Sequence, residues 1–189
     1  MENGRTRILD EAARLFLARG YAETTLRDIA DAAGVKAGSI YYHFDSKEDL
    51  LAEILDQGIE RITRTLDEAL GGAGPEPATR LRVAIAAHLS ALFQHGPYTA
   101  AHVGVFHGAP EEVRRAGIPA RDAYEERWAK LLDEAVADPE VDLHVVRVSL
   151  LGMMNATLDW YRPNGVRGLD QVADTIADTV LVGLLRETD

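Results

Sequence analysis

The chain reads as all-α: a three-helix head, a long connecting helix and a helical body. Three observations predict this. Apolar residues recur three and four apart through most of the chain. No segment alternates with the period of a strand, and Gly- or Pro-containing breaks separate the periodic segments.

The elements follow in order. Over 5–19, Ile8, Leu9, Ala12, Leu15 and Phe16 share one helical face, and Gly20 is placed to end it. Thr25 can cap a second helix from Leu26, with Asp28 at its third position. Leu26, Ile29, Ala30 and Ala33 give that helix a buried side, and Gly34 ends it where positive φ is needed. A third short helix covers about 37–43, anchored by Ile40 and Phe44. Ser46-Lys47-Glu48-Asp49 is a capping box opening a helix that runs to about residue 70. GGAGPEPAT at 71–79 is a linker, and further helices are expected at 80–94, about 99–107, 119–137, 141–160 and 169–186.

Composition bounds the function. The chain of 189 residues is 47% apolar and 27% charged, with formal net charge −11 and no cysteine. Disulfides, thiolate nucleophiles and Cys-based metal sites are thereby excluded. The opening MENGRTRILDEAARLF lacks the apolar core of a signal peptide, and Val148–Leu158 is a charge-free run of 11 residues where a span needs about 20. A cytoplasmic location without membrane association is the expectation. Residues 1–50 carry seven Lys/Arg and nine Asp/Glu, whereas 51–189 carry 13 and 22, so most of the acidity lies outside the head. Phosphate contact needs only a few local donors and helix N-termini.

Two short helices joined by a Gly turn form a helix-turn-helix, whose second helix fits a major groove while the first braces it. Spacing alone favours an ordinary structural helix pair, because short helices with a Gly turn are common in all-helical proteins. The run TTLRDIADAAGVKAGSIYYHFDSKEDLL, with RILDEAARLFLARGY before it, resembles the N-terminal domain of TetR-family transcriptional repressors. The likeness covers residues 5 to about 52. It implies a helix-turn-helix DNA-binding domain over 1–48 and an α-helical effector-binding and dimerisation domain over 49–189.

Carried over by position, the resemblance implies that Thr24 and Thr25 contact phosphate at the start of the second helix. Lys36, Ser39 and Tyr41 become recognition-helix residues, Tyr42 and His43 lie along the DNA backbone, and Lys47 meets a phosphate. Hydroxyls and lysine are ordinary phosphate partners, while Ser and Tyr can approach bases. The family commonly has Ser after the Gly-Val turn; this chain has Lys36, which cannot accept a capping hydrogen bond.

Two symmetry-related heads would read a palindromic site on double-stranded DNA. The last helices are apolar, and the resemblance implies a four-helix interface in a homodimer. Val148, Leu151, Leu169, Val172, Ile176, Val180 and Leu184 are its candidates. The body is implied to be an effector pocket with no catalysis. Phe93, Tyr98, His102, Phe106, Trp128, Met153, Met154, Asn155 and Trp160 supply pliable apolar surface for a small apolar effector, with Asn155 as an orienting group. Residues of about 140–185 also resemble a subgroup that answers to acyl-CoA thioesters, for which Arg114, Arg115, Arg121, Arg147 and Arg162 are candidate phosphate partners. The sign of the ligand's effect on DNA binding stays open. His88, His95, His102 and His107 are spaced seven, seven and five apart and match no compact metal motif, so neither metal nor cofactor is expected. A small hydrolase is the alternative of another class, but no nucleophile–base set is visible.

Overall fold

The computed structural model describes residues 4–94, 96–136 and 138–184, with side chains through Val182. His95 and the Leu184 side chain, both singled out from sequence, lie outside the described residues. Among the described residues, ten α-helices and a short 3₁₀ turn (Phe106–Gly108) make up the secondary structure, and there is no strand. The all-α expectation holds.

Two compact units emerge, residues 1–61 with 95–121, and residues 62–94 with 122–189. The first holds α1 (Gly4–Arg19), α2 (Leu26–Ala33), α3 (Ala37–Ile40), the start of α4 (Lys47–Gly72), α6 (Pro97–Val105) and the start of α7 (Glu111–Ala135). Its core joins Ile8, Phe16, Ile29, Ile40, Phe44 and Ile54 to Tyr98, Ala101, Val105 and Phe106. Helix α6 therefore packs on α1, not in the body where the sequence placed it.

Local chemistry fixes the head's boundaries. Thr25 and Asp28 cap α2 reciprocally: the Asp28 N–H donates to Thr25 Oγ1 at 3.1 Å, and the Thr25 N–H donates to Asp28 Oδ2 at 2.9 Å. Gly34 ends α2 with φ of 65°, a left-handed conformation that suits glycine, and the Val35 N–H closes the turn on Ala30 O at 3.0 Å. Ser46 Oγ accepts from the Asp49 N–H at 3.0 Å and caps α4. Gly58 lets α4 and α6 approach: a Cβ there would meet Tyr98 O at 2.5 Å and His102 Cβ at 2.6 Å.

The second unit contains the rest of α4 and α7, together with α5 (Pro77–Gln94), α8 (Leu143–Asn155), α9 (Thr157–Trp160) and α10 (Leu169–Leu184). Helix α10 packs on α5, burying Val172, Ala173, Ile176, Ala177 and Leu181. Helix α7 begins eight residues before the expected 119, with Pro119 inside it. A single missing N–H, flanked by a full helical turn on each side, does not stop the helix. The expected 141–160 helix breaks after Asn155, where Thr157 Oγ1 donates to Met154 O at 2.6 Å.

Candidate nucleic-acid interface

Lys36 is the N-cap of α3 and makes no side-chain capping bond, as its chemistry demands. The helix is a single turn, shorter than the 37–43 expected; residues 41–43 continue as a turn held by His43 N–H to Ile40 O at 2.9 Å. Ile40 and Phe44 are buried and anchor this element. On its outer side Lys36, Ser39, Tyr42 and His43 line one surface groove. Tyr41 is 62% exposed and Tyr42 90%, so neither ring is used in the core. Ser39, half-buried, presents the smallest side chain of the set.

Thr24 and Thr25, adjacent in sequence, have different environments. Thr25 is exposed at the N-terminus of α2, where its hydroxyl accepts from the Asp28 N–H and donates to Asp28 Oδ2 at 2.5 Å. Thr24 is fully buried, and its hydroxyl donates to Gly20 O at 2.8 Å. The expected Thr24 phosphate contact through its side chain is therefore corrected: that hydroxyl ties the α1–α2 turn together. Lys47 also works inside the head. Its Nζ donates to Tyr21 O at 2.9 Å and Thr24 O at 3.0 Å, and stands 4.0 Å over the Tyr21 ring. The Tyr21 hydroxyl in turn donates to Glu48 Oε1 at 2.5 Å, which holds the Glu48 carboxyl below its usual range.

Among the described residues two histidines are buried, one in each unit. His102 Nδ1–H donates to Leu55 O at 2.8 Å in the first unit. In the second, His88 Nδ1 faces Tyr124 Oη at 2.8 Å and His88 Nε2 faces Asn155 Oδ1 at 3.0 Å. Burial pushes both rings down to about 4, so each is neutral. Trp128 lies edge-on to His88 with ring centroids 5.9 Å apart. Its buried indole N–H makes no full hydrogen bond, yet it partly offsets the desolvation that raises the Tyr124 phenol. Among the described residues no group of three or more His, Cys, Asp or Glu could hold a metal ion, and no helix is long and apolar enough to cross a membrane.

Known proteins match this arrangement. The family described as "Bacterial regulatory proteins, tetR family" matches residues 8–54, and "Tetracyclin repressor-like, C-terminal domain" matches residues 74–184. The chain belongs to the TetR family. The repressor KstR2 of Rhodococcus jostii is 32% identical over 95% of this chain and 90% of its own. The solved TetR regulator PfmR of Thermus thermophilus is 32% identical, with a TM-score of 0.81 over 95% of this chain and all of PfmR. The ketosteroid regulator KstR2 of Mycobacterium tuberculosis superposes with a TM-score of 0.84 at 26% identity, over 99% and 97%. TetR proteins are transcription factors, and the hydrolase alternative falls away.

The body residues nominated from sequence as TetR-type contacts divide sharply by burial. Val172 and Ile176 are buried under α5 within one chain, so as interface residues they are corrected; their apolar period reflects the subunit's own core. Leu151, Leu169 and Val180 are half-buried. Val148 is 52% exposed, on a face of α8 that also presents Val145, Gly152 and Met153. Of the effector candidates, Tyr98, His102 and Phe106 are core of the first unit. In the second, Trp128 and Met154 are buried, and Phe93 is half-buried with its ring 4.8 Å from Tyr161. Met153 and Trp160 face solvent and line no interior of their own unit. Arg115 pairs with Glu111, Arg147 with Glu125 at 3.4 Å, and Arg162 bonds Tyr161 O and Asp159 O. Arg121 stacks 4.3 Å from the Phe106 ring centroid, so four of the five candidate phosphate partners already have contacts within the chain. Sequence reasoning missed His88 and Tyr124 as a polar pair. The signal was present: Leu81, Ile85, His88 and Leu92 form one helical stripe, with a histidine on the apolar face.

Proposed function

We propose that this TetR-family protein is a homodimeric transcriptional repressor that binds a palindromic operator and is released by an acyl-CoA thioester. The observation that carries the DNA reading is the outer side of α3. There a lysine, a serine, two exposed tyrosines and a histidine cluster on an element whose inner side is fixed by Ile40 and Phe44. Thr25, exposed at the capped N-terminus of α2, adds a phosphate contact once its hydroxyl turns from Asp28. The head's own charge is nearly balanced, so binding relies on these local donors rather than on a basic surface.

The exposed apolar face of α8 supports dimerisation, because Val145 and Val148 stand in water unless a second copy covers them. Similarity over almost the whole length to proteins named as repressors supports the negative sign of regulation. The acyl-CoA effector rests on the resemblance of residues 140–185 to thioester-responsive regulators. Release requires that the ligand bind the non-operator state more tightly than the DNA-bound state.

Footprinting of the DNA beside the protein's own gene tests the first part. A protected palindrome is expected, and protection at no site would overturn the repressor reading. Adding acyl-CoAs of graded chain length to the bound complex tests the second. At least one should release the DNA, and indifference to the whole series removes the thioester.

A further inference from the structure

Inside the second unit, His88 of α5, Tyr124 of α7 and Asn155 of α8 bond in series. Burying such groups is costly unless each hydrogen bond is made, so their proton positions are constrained. The hydroxyl of Tyr124 is buried, and His88 Nδ1 is its acceptor at 2.8 Å. Were Nδ1 protonated, the hydroxyl proton would have no acceptor among the described residues. The phenol therefore donates to Nδ1, the imidazole proton sits on Nε2, and Nε2–H donates to Asn155 Oδ1 at 3.0 Å.

This chain of donors sets the rotamer of the amide. The Asn155 oxygen is turned inward to His88, and its NH₂ group, which bonds nothing among the described residues, is turned away. Asn155 is half-buried, so the NH₂ is reachable from outside the core. It is also the last residue of α8, beside the break at Ala156, where no continuous helix covers it.

An outward amide NH₂ on a cluster that itself carries no charge favours one chemistry. A purely apolar ligand would strand the donor, and an anion would need a countercharge that the cluster does not contain. A neutral acceptor on an apolar chain satisfies it. We propose that Asn155 recognises the thioester carbonyl oxygen of an acyl-CoA effector by donating an amide N–H, with His88 and Tyr124 as the positioning residues that fix the amide's orientation. The assignment rests on the acyl-CoA reading above and adds to it the atom that is read.

The test compares butyryl-, octanoyl- and palmitoyl-CoA with S-alkyl-CoA thioethers of the same chain lengths, which lack only the carbonyl oxygen. Binding to the full-length protein is followed by calorimetry. The wild type should bind a thioester about tenfold more tightly than its thioether, the order expected when a polar group is left unpaired. Asn155→Ala should abolish that preference while leaving thioether affinity close to wild type. His88→Gln, whose amide N–H can still reach Asn155 Oδ1, should keep much of the preference, and His88→Phe should lose it. Thermal unfolding of each variant separates loss of recognition from loss of fold, and Asn155→Ala, at a half-buried site, keeps the test open if His88→Phe does not fold. If thioesters and thioethers bind the wild type equally, or if the preference survives in Asn155→Ala, the carbonyl assignment is overturned while the acyl-CoA reading stands. If neither series binds the wild type at all, the acyl-CoA reading fails and takes the assignment with it.

Discussion

The Lys47 ammonium and the Thr24 carbonyl oxygen are 3.0 Å apart, a bond that joins the first turn of α4 to the start of the helix-turn-helix. With the Tyr21 carbonyl and ring as further partners, two of the three ammonium protons are used inside the head. Lys47→Ala is expected to destabilise the protein by about 1.5–3 kcal/mol, the range for hydrogen bonds to a charged group, as read by urea unfolding. If Lys47 only positions the head, the salt dependence of operator binding should keep its wild-type slope. Loss of a phosphate contact would instead reduce that slope by about one.

Gly58→Ala places a methyl group 2.5 Å from the Tyr98 carbonyl oxygen. That neighbour is backbone within α6 and cannot rotate aside, so α4 and α6 must separate. A loss of about 1–3 kcal/mol is expected, as for other overpacked cores, with a lower thermal midpoint. An unchanged midpoint would mean that α6 yields freely.

Stability should fall on mild acidification. His88 and His102 have folded pKa values of about 4 against an ordinary 6.5, so the unfolded chain takes up protons first. Their contribution is complete above pH 6.5 and is lost as pH falls toward 4. The slope is about 1.4 kcal/mol per pH unit for each histidine. Denaturant titrations at steps between pH 7 and 5 should show it, and His88→Gln should remove one histidine's share.

Substitutions at exposed Val148 and buried Ile176 test the proposed interface against the core. Val148→Asp puts a charge on the exposed face of α8 and should yield a folded monomer by sedimentation. Ile176→Asp buries the charge under α5 and should unfold the chain instead. A Val148→Asp protein that remains dimeric would move the subunit contact elsewhere.

The head was the most legible part of the sequence, because its boundaries are set by short-range chemistry. Thr25 with Asp28 forms a full capping box, Gly34 takes the left-handed turn, and Ser46 supplies its half of the expected box by accepting from the Asp49 N–H. Side-chain direction was less legible. Thr24 and Thr25 are chemically alike, yet the cap places one outside and the turn carries the other to Gly20 O. An apolar period likewise announces burial but not the neighbour that provides it. Val172 and Ile176 proved to be covered by their own subunit, and Tyr98 with Phe106 by the head. The helix expected over 119–137 starts earlier, and the flanking turns of α7 absorb the one hydrogen bond that Pro119 forgoes. The His88–Asn155 pair joins residues 67 positions apart, a distance that no local pattern encodes.

Because Tyr98, Ala101, Val105 and Phe106 complete the same core as Ile8 and Phe16, the head is not a detachable cassette. A chimera spliced at residue 48, with this reading head fused to a foreign sensor, would replace the native α6 and strip that core of one wall. Transplants that keep α6 and the 3₁₀ turn together with residues 1–61 preserve the wall, and those are the junctions from which hybrid switches should be built.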